Sequence, residues 1–377
     1  MRNMKLSLVM LLGLALILTA CATDAPAPAQ DPETVTVVET VEVEVAGETQ
    51  IVQAPGYGEV LARVQDRGRV VCAGRTDLLG FGYLDDAGRN IGFDIDLCRA
   101  VAAAVLGDPE AIEIVPVTAA ERGPVIQTGE VDILSRNVTW TSSRDSQWGN
   151  FTITMFYDGQ GYMVRTDSGI ESQADMNGAS VCVTSGTTTE KNLAADFRER
   201  GLEFEAVIFE DTSSVYGAFF DGRCDVTTSD RSQLAAIRAG ADNPDDYVIL
   251  PMIISKEPLT PVVPHGDDQW FDIVKLVMYA LINAENPAYG PITQATVDDV
   301  LASDNIKGKT VLGVEGDWGY SSLGLEADAL ANAILAVGNY GEVYNRYMGP
   351  DGIAFTLPRG LNEHWTNGGL VYAPPVK

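Results

Sequence analysis

Gly129-Glu130-Val131-Asp132 and Gly222-Arg223-Cys224-Asp225 stand at the same place in two similar runs of strand and helix, about 93–110 residues apart. In the first run, Arg69–Ala73 reads as a short apolar strand and Asp85-Asp86-Ala87-Gly88 as a turn. A helix begins near Asp94, with Cys98, Val101, Ala102, Val105 and Leu106 at 3/4 spacing and Gly107 at its end. Strand 112–117, helix 124–128 with Pro124 in its first turn, and strand Val131–Leu134 come next. In the second run, Ala179–Val183 is a strand, and Thr187 with Glu190 forms a capping box for a helix ending at Gly201. Strand Val207–Phe209, helix 212–220 and strand 224–228 complete it. Such alternation predicts α/β layers with a mainly parallel sheet, and its repetition predicts two lobes. A cleft between two lobes suits a small ligand. The 377 residues leave room for two to three domains at roughly 150 residues each.

Charge removes several function classes. Lys and Arg total 25 against 53 Asp and Glu, for a net charge of −28. A nucleic-acid binder needs a basic surface to neutralise phosphates, and a polybasic membrane surface needs the same. The two histidines, His265 and His364, are about 100 residues apart. That excludes a His-rich metal site and most histidine-based acid–base catalysis. No metal and no cofactor are expected.

The N-terminus reads as an export signal. Arg2 and Lys5 precede an apolar stretch, Leu6–Leu18, of 13 residues. A spanning helix needs roughly 20, so the stretch fits the apolar region of a signal peptide. Leu18-Thr19-Ala20-Cys21 resembles a bacterial lipobox, with Cys21 the lipidated residue. Residues 22–57 then hold seven acidic residues and no basic ones, with the stiff run Ala25-Pro26-Ala27-Pro28-Ala29. They predict a self-repelling tether. Val41–Val45 alternates like a strand but offers no evident partner, so a stray edge strand is the alternative.

With Cys21 set aside, four cysteines remain: Cys72, Cys98, Cys182 and Cys224. An even number in an exported chain suggests disulfides. Of the three connectivities, the lobe assignment selects Cys72–Cys98 and Cys182–Cys224. Four buried free thiols are the alternative.

The segments GFDIDLCRAVAAA (92–104), GEVDILSRNVTWTSSRD (129–145), VCVTSGTTTE (181–190) and GRCDVTTSDRS (222–232) resemble extracytoplasmic binding proteins of polar amino acid ABC transporters. GNYGEVYNRYMG (338–349) and RGLNEHWTNGGLVYAPP (359–375) resemble the general L-amino-acid-binding branch of that family. The resemblance implies a type II periplasmic-binding-protein fold, each lobe a mostly parallel sheet flanked by helices, with a two-strand hinge. Its implied organisation is a signal peptide over 1–20, a lipidated tether over 21–57, lobe one over 58–157 and 253–377, and lobe two over 158–252. It also implies hinge segments near Tyr157–Gly161 and Ile249–Ser255.

A zwitterion needs a guanidinium for its carboxylate and an anion for its ammonium. Both charges must be paired if the closed cleft excludes water. By the resemblance, Arg144, supported by Thr139, clamps the α-carboxylate, and Thr188 adds a backbone N–H at a helix N-terminus. Asp230 takes the ammonium and Asn137 shares it. Thr187 caps the helix and lines the site, and Phe81 either packs on the ligand or in the core. Arg75 and Arg136 either face the ligand side chain, favouring Glu, Asp or polar amino acids, or serve as a loop residue and a structural ion-pair partner. The implied function is a monomeric, lipid-anchored solute-binding protein at the cell surface or in the periplasm. It would hand free amino acids to the transmembrane subunits of an ABC permease. The alternatives are an enzyme on the same fold, of the cyclohexadienyl dehydratase kind, and a ligand sensor for a receptor.

Overall fold

In a computed structural model, described for residues 40–45, 48–53, 56–316 and 318–375, two five-stranded sheets repeat one pattern. The first has the order 112–116, 70–74, 133–134, 262–263, 150–151. The second has the order 204–209, 179–184, 226–230, 160–165, 247–249. In each, three neighbouring strands pair in parallel and the fourth runs the other way, pairing antiparallel with the third and with the edge strand, which again runs with the first three. The mainly parallel sheets expected are therefore mixed. The reversed strand, fourth in each order, is Val262–Val263 in one sheet and Gln160–Arg165 in the other; it is the first to come after a passage from the opposite lobe, so it enters running the other way. The passages themselves, Phe156–Asp158 and Glu257–Leu259, pair antiparallel as a two-strand hinge.

Burial explains the run of apolar residues in Val70–Gly74, every one of which is inside. Helix Phe93–Leu106 covers one face of that strand and is itself packed against helix Ala329–Val337 of the C-terminal part. Helices Asp268–Glu285 and Tyr340–Met348 complete this core, joined by the ring cluster Phe81, Phe93, Phe156, Tyr340 and Tyr344. Both disulfides have the pairing expected, Cys72–Cys98 tying strand to helix and Cys182–Cys224 tying two neighbouring segments of lobe two.

The repeated Gly-x-β-Asp motif has a structural role. Asp132 accepts Val71 N–H at 2.8 Å, and Asp225 accepts Ser180 N–H at 2.9 Å. Each carboxylate thus pins the start of the neighbouring parallel strand. Asp132, fully buried, also takes Arg63 and Arg67.

Two local expectations need correcting. Thr40–Val45, expected to be unpaired, forms an antiparallel pair with Glu48–Gln53, Thr40 opposite Gln53. The second run supplies the N–H and C=O partners an isolated strand would lack. The Thr187–Glu190 capping box is half made: Thr187 Oγ1 accepts Glu190 N–H, but the Glu190 carboxylate accepts Gly186 N–H instead of that of Thr187. The signal peptide, Cys21 and the tether as far as residue 39 lie outside the described residues.

Replacing Asp132 with Ala leaves a buried amide and two guanidinium groups without their acceptor. We expect a loss of about 3–5 kcal/mol, read from urea unfolding midpoints against the parent.

Candidate functional site

At the seam between the sheets, the carboxyl ends of strands from both lobes converge, the usual place for a ligand in α/β sheets. Arg75 directly succeeds strand 70–74. Arg136, Asn137 and Thr139 come after strand 133–134, Thr187 and Thr188 after strand 179–184, and Asp230 ends strand 226–230. All seven line one small cavity of about 30 Å³.

The two lobes touch across it. Arg75 donates to Thr212 Oγ1 (3.0 Å) and Gln233 Oε1 (3.2 Å) of lobe two, and Asn137 Nδ2 donates to the same Gln233 oxygen at 3.1 Å. Thr139 and Thr188 hydroxyls meet at 3.4 Å. Glu257, on the hinge strand, accepts from Thr139 at 2.6 Å and from Thr188 and Asn192 at 2.8 Å each. Arg75 is buried and paired with Asp77 at 2.7 Å, so it is no exposed loop residue.

Two opposite charges face the cavity with polar atoms unused. Asp230 is 5% exposed and its Oδ1 has no hydrogen-bond partner. Burial, reinforced by repulsion from Asp158 and Glu257, holds its carboxyl well above the usual range. Arg136 is 7% exposed, its Nε has no partner, and it forms no ion pair among the described residues. Burial and the neighbouring Arg75 lower its pKa to about 9. A group bearing both charges would satisfy both atoms, because unpaired buried charges are costly.

Arg144 lies to one side. It is buried on the short helix Ser142–Gln147, donates to Thr139 O at 3.1 Å and stacks over Trp148 at 4.6 Å. It lines a larger chamber of about 530 Å³ with Trp148, Lys191 and Asn192, which meets the inner cavity at Ala119 and Thr188. Phe81 lines neither space. Its ring is 1% exposed and packs edge-on against Phe156 and Phe93, so core packing is the role the structure gives it.

Sequence reading passes over Arg122, Thr212, Gln233 and Glu257. Arg122 is 4% exposed, lines the inner cavity, and donates to Ala119 O (2.9 Å) and to Gly186 O of lobe two (3.5 Å). Arg122, Thr212 and Gln233 all sit in the first turn of a helix that succeeds a sheet strand. Applying the strand-end rule to every such turn would find them. Glu257 carries no such signal, since only the pairing of the crossovers brings it here. The histidines are elsewhere: His265 bonds Asn150 and His364 bonds Thr366. Among the described residues no cluster of metal-binding side chains occurs, and no helix is long and apolar enough to cross a membrane.

Two mixed α/β lobes, a two-strand hinge and a polar, charge-lined seam define a bilobal ligand-binding protein. The profile of the bacterial extracellular solute-binding proteins, family 3, matches residues 70–295, and the chain belongs to that family. It is 49% identical to the general L-amino acid-binding periplasmic protein AapJ of Rhizobium johnstonii, over 84% of this chain and 92% of that one. It is 45% identical to the glutamate/glutamine/aspartate/asparagine-binding protein BztA of Rhodobacter capsulatus, over 87% and 96%. An ABC transporter periplasmic binding protein from Brucella ovis, solved with glutathione bound, superposes with a TM-score of 0.80 at 45% identity, covering 84% of this chain and 99% of that one. These relatives are binding components of transporters rather than enzymes, and this chain is likewise a solute-binding protein.

Asp158 ends the first hinge strand, accepting Gly159 N–H at 2.8 Å and Ser232 N–H at 3.2 Å. Burial raises its pKa from an ordinary 3.8 to about 6. A raised carboxyl pKa stabilises the fold below about pH 4, and that contribution is lost as pH rises through 6. Asp158→Asn should therefore show a flatter stability profile than the parent between pH 4 and 6.5, measured by urea unfolding.

Proposed function

We propose that this chain is a lipid-anchored, extracytoplasmic subunit that captures free L-amino acids, polar and acidic ones favoured, and delivers them to an ABC permease. The observation that carries this reading is the pair of unsatisfied, oppositely charged atoms, Asp230 Oδ1 and Arg136 Nε, on one buried cavity. The ammonium sits on Asp230 and Asn137. The α-carboxylate meets Arg144, Thr139 and the helix N-terminus at Thr187 and Thr188, where backbone N–H groups favour an anion. The side chain extends toward Arg75 and Arg136. Arg122 adds a third guanidinium there, which favours a carboxylate or amide over a cationic side chain.

The open form loads one amino acid on lobe one and closes about strands 156–158 and 257–259. Asp230 and Thr188 then arrive on a ligand already held by Arg144. The lipid on Cys21 keeps the monomer at the membrane, and the permease, not this chain, spends ATP. An enzyme on this fold would need a further acid or base, and neither histidine reaches the cavity.

A second reading has its own support. The larger chamber carries Arg144 and Lys191 and no acidic side chain. The Brucella ovis structure holds glutathione, whose γ-glutamyl head is an amino acid and whose far end is a second carboxylate. A ligand of that length would place its head in the inner cavity and its tail in the chamber.

The test is thermal shift of the Cys21→Ser chain, freed of carried-over ligand by unfolding and refolding, against the twenty L-amino acids and glutathione. Shifts with several amino acids that vanish in Arg144→Ala are expected, since binding to the folded state raises the melting point by mass action. Shifts confined to glutathione favour the second reading, and no shift at all sinks both. The raised pKa of Asp230 adds a second expectation: a proton competes with the ligand ammonium. Affinity for glutamine should fall as pH drops from 7 to 5, by up to about tenfold per unit, in calorimetric titrations.

A further inference from the structure

Asn137 is the only residue other than glycine with positive φ, at 37°, among those described. Asn tolerates this region better than most residues but still prefers negative φ, so something must hold it. The restraint comes from another element. Asp94, third residue of the Gly92-Phe93-Asp94 run, accepts Asn137 N–H on Oδ2 at 2.8 Å, and its own carbonyl accepts Ser135 Oγ–H at 3.0 Å. Both ends of the Ser135–Asn137 turn are thus tied to one residue.

Gly92 is the reason Asp94 can stand there. With φ at 137°, a side chain at Gly92 would bring its Cβ to 2.1 Å from Phe81 O. Its absence lets the helix start press on the turn at Phe81, and Asp94 N–H bonds Phe81 O at 3.0 Å. The helix terminus is thereby fixed, with the Asp94 carboxylate behind the turn and 7% exposed. The charged groups facing it are Arg75 and Arg136; burial outweighs them and the Asn137 amide and raises its pKa to about 6.

We propose that Asp94 is the positioning residue of the cleft: by holding the Asn137 amide in a left-handed turn it sets Arg136 and Asn137 in the cavity wall. It touches no ligand itself. The ligand part of this inference rests on the amino-acid reading of the cleft.

A double-mutant cycle in the full chain tests it, with Kd for L-glutamate and L-glutamine measured by calorimetry in parent, Asp94→Ala, Asn137→Gly and the double variant. Glycine adopts positive φ without help, so the turn no longer needs its restraint. Asp94→Ala should weaken binding at least about tenfold with Asn137 present and less than about threefold in the Asn137→Gly background. Equal losses in both backgrounds, or no loss in the first, overturn the proposal.

Amide exchange at Asn137, in protein with no ligand added, gives a readout that does not depend on which ligand the cleft takes. Exchange should quicken at least about tenfold in Asp94→Ala relative to strand 70–74 of the same sample. Unchanged protection overturns the proposal. If Asp94→Ala does not fold, Asp94→Asn replaces it. Asn keeps an oxygen acceptor without the charge, so protection near the parent level is expected; loss of protection equal to that of strand 70–74 marks a purely structural role. A parent that binds no amino acid sinks the amino-acid reading, and the exchange result still decides the role of Asp94.

Discussion

The Glu257 carboxylate joins the three parts of the molecule that must meet. It rides on a hinge strand, accepts from Thr139 of lobe one, and accepts from Thr188 and Asn192 of lobe two. At 1% exposure a carboxylate there needs its lone pairs filled, and Ser255 of its own hinge segment donates as well. Arg75 does the same at the other end of the seam, with Asp77 in its own lobe and Thr212 and Gln233 across it. Asp230 and Arg136 line the same cavity as Arg75, each with a polar atom left over. The cleft is thus nearly complete in itself, with the remaining demand concentrated where an ammonium and an anion would fit.

The two lobes show how one plan is used twice. Both sheets reverse only the fourth of their five strands, and both use an aspartate to fasten the start of a strand. They diverge just beyond the strand ends. Lobe one presents guanidinium groups at Arg75, Arg122, Arg136 and Arg144, whereas lobe two presents hydroxyls, an amide and Asp230. A zwitterion has opposite needs at its two ends, and a pair of unlike lobes supplies them from opposite sides.

Legibility tracks the range of the interactions. The strand and helix run around Val70 and Cys98, the helix closed by Gly107 and the Thr187 cap are readable because periodicity and caps are local. Element ends drift: the strand expected at 224–228 is Val226–Asp230, so Asp230 is the last residue of the strand rather than part of a loop after it. Phe81 is ambiguous in sequence because an aromatic after a Gly-rich turn suits a core and a ligand wall equally, and only its edge-on contacts with Phe93 and Phe156 decide. Val41–Val45 has no evident partner in sequence because the run that pairs with it, Glu48–Gln53, alternates more weakly.

Read alone, the chain's residues give an acidic protein with an export-like N-terminus, two α/β halves and an even set of cysteines. These depend on composition and on neighbours within a few turns, whereas the residues suited to a zwitterion come through the resemblance of its segments to a known family. It takes the folded arrangement to bring Arg122, Thr212, Gln233 and Glu257 into the site, to set Arg144 beside an outer chamber, and to place Asp94 behind Asn137. Arg144 apart, each of those depends on groups 40 to 160 positions apart being brought within hydrogen-bond distance, and no local pattern records which distant donor a buried acceptor will find.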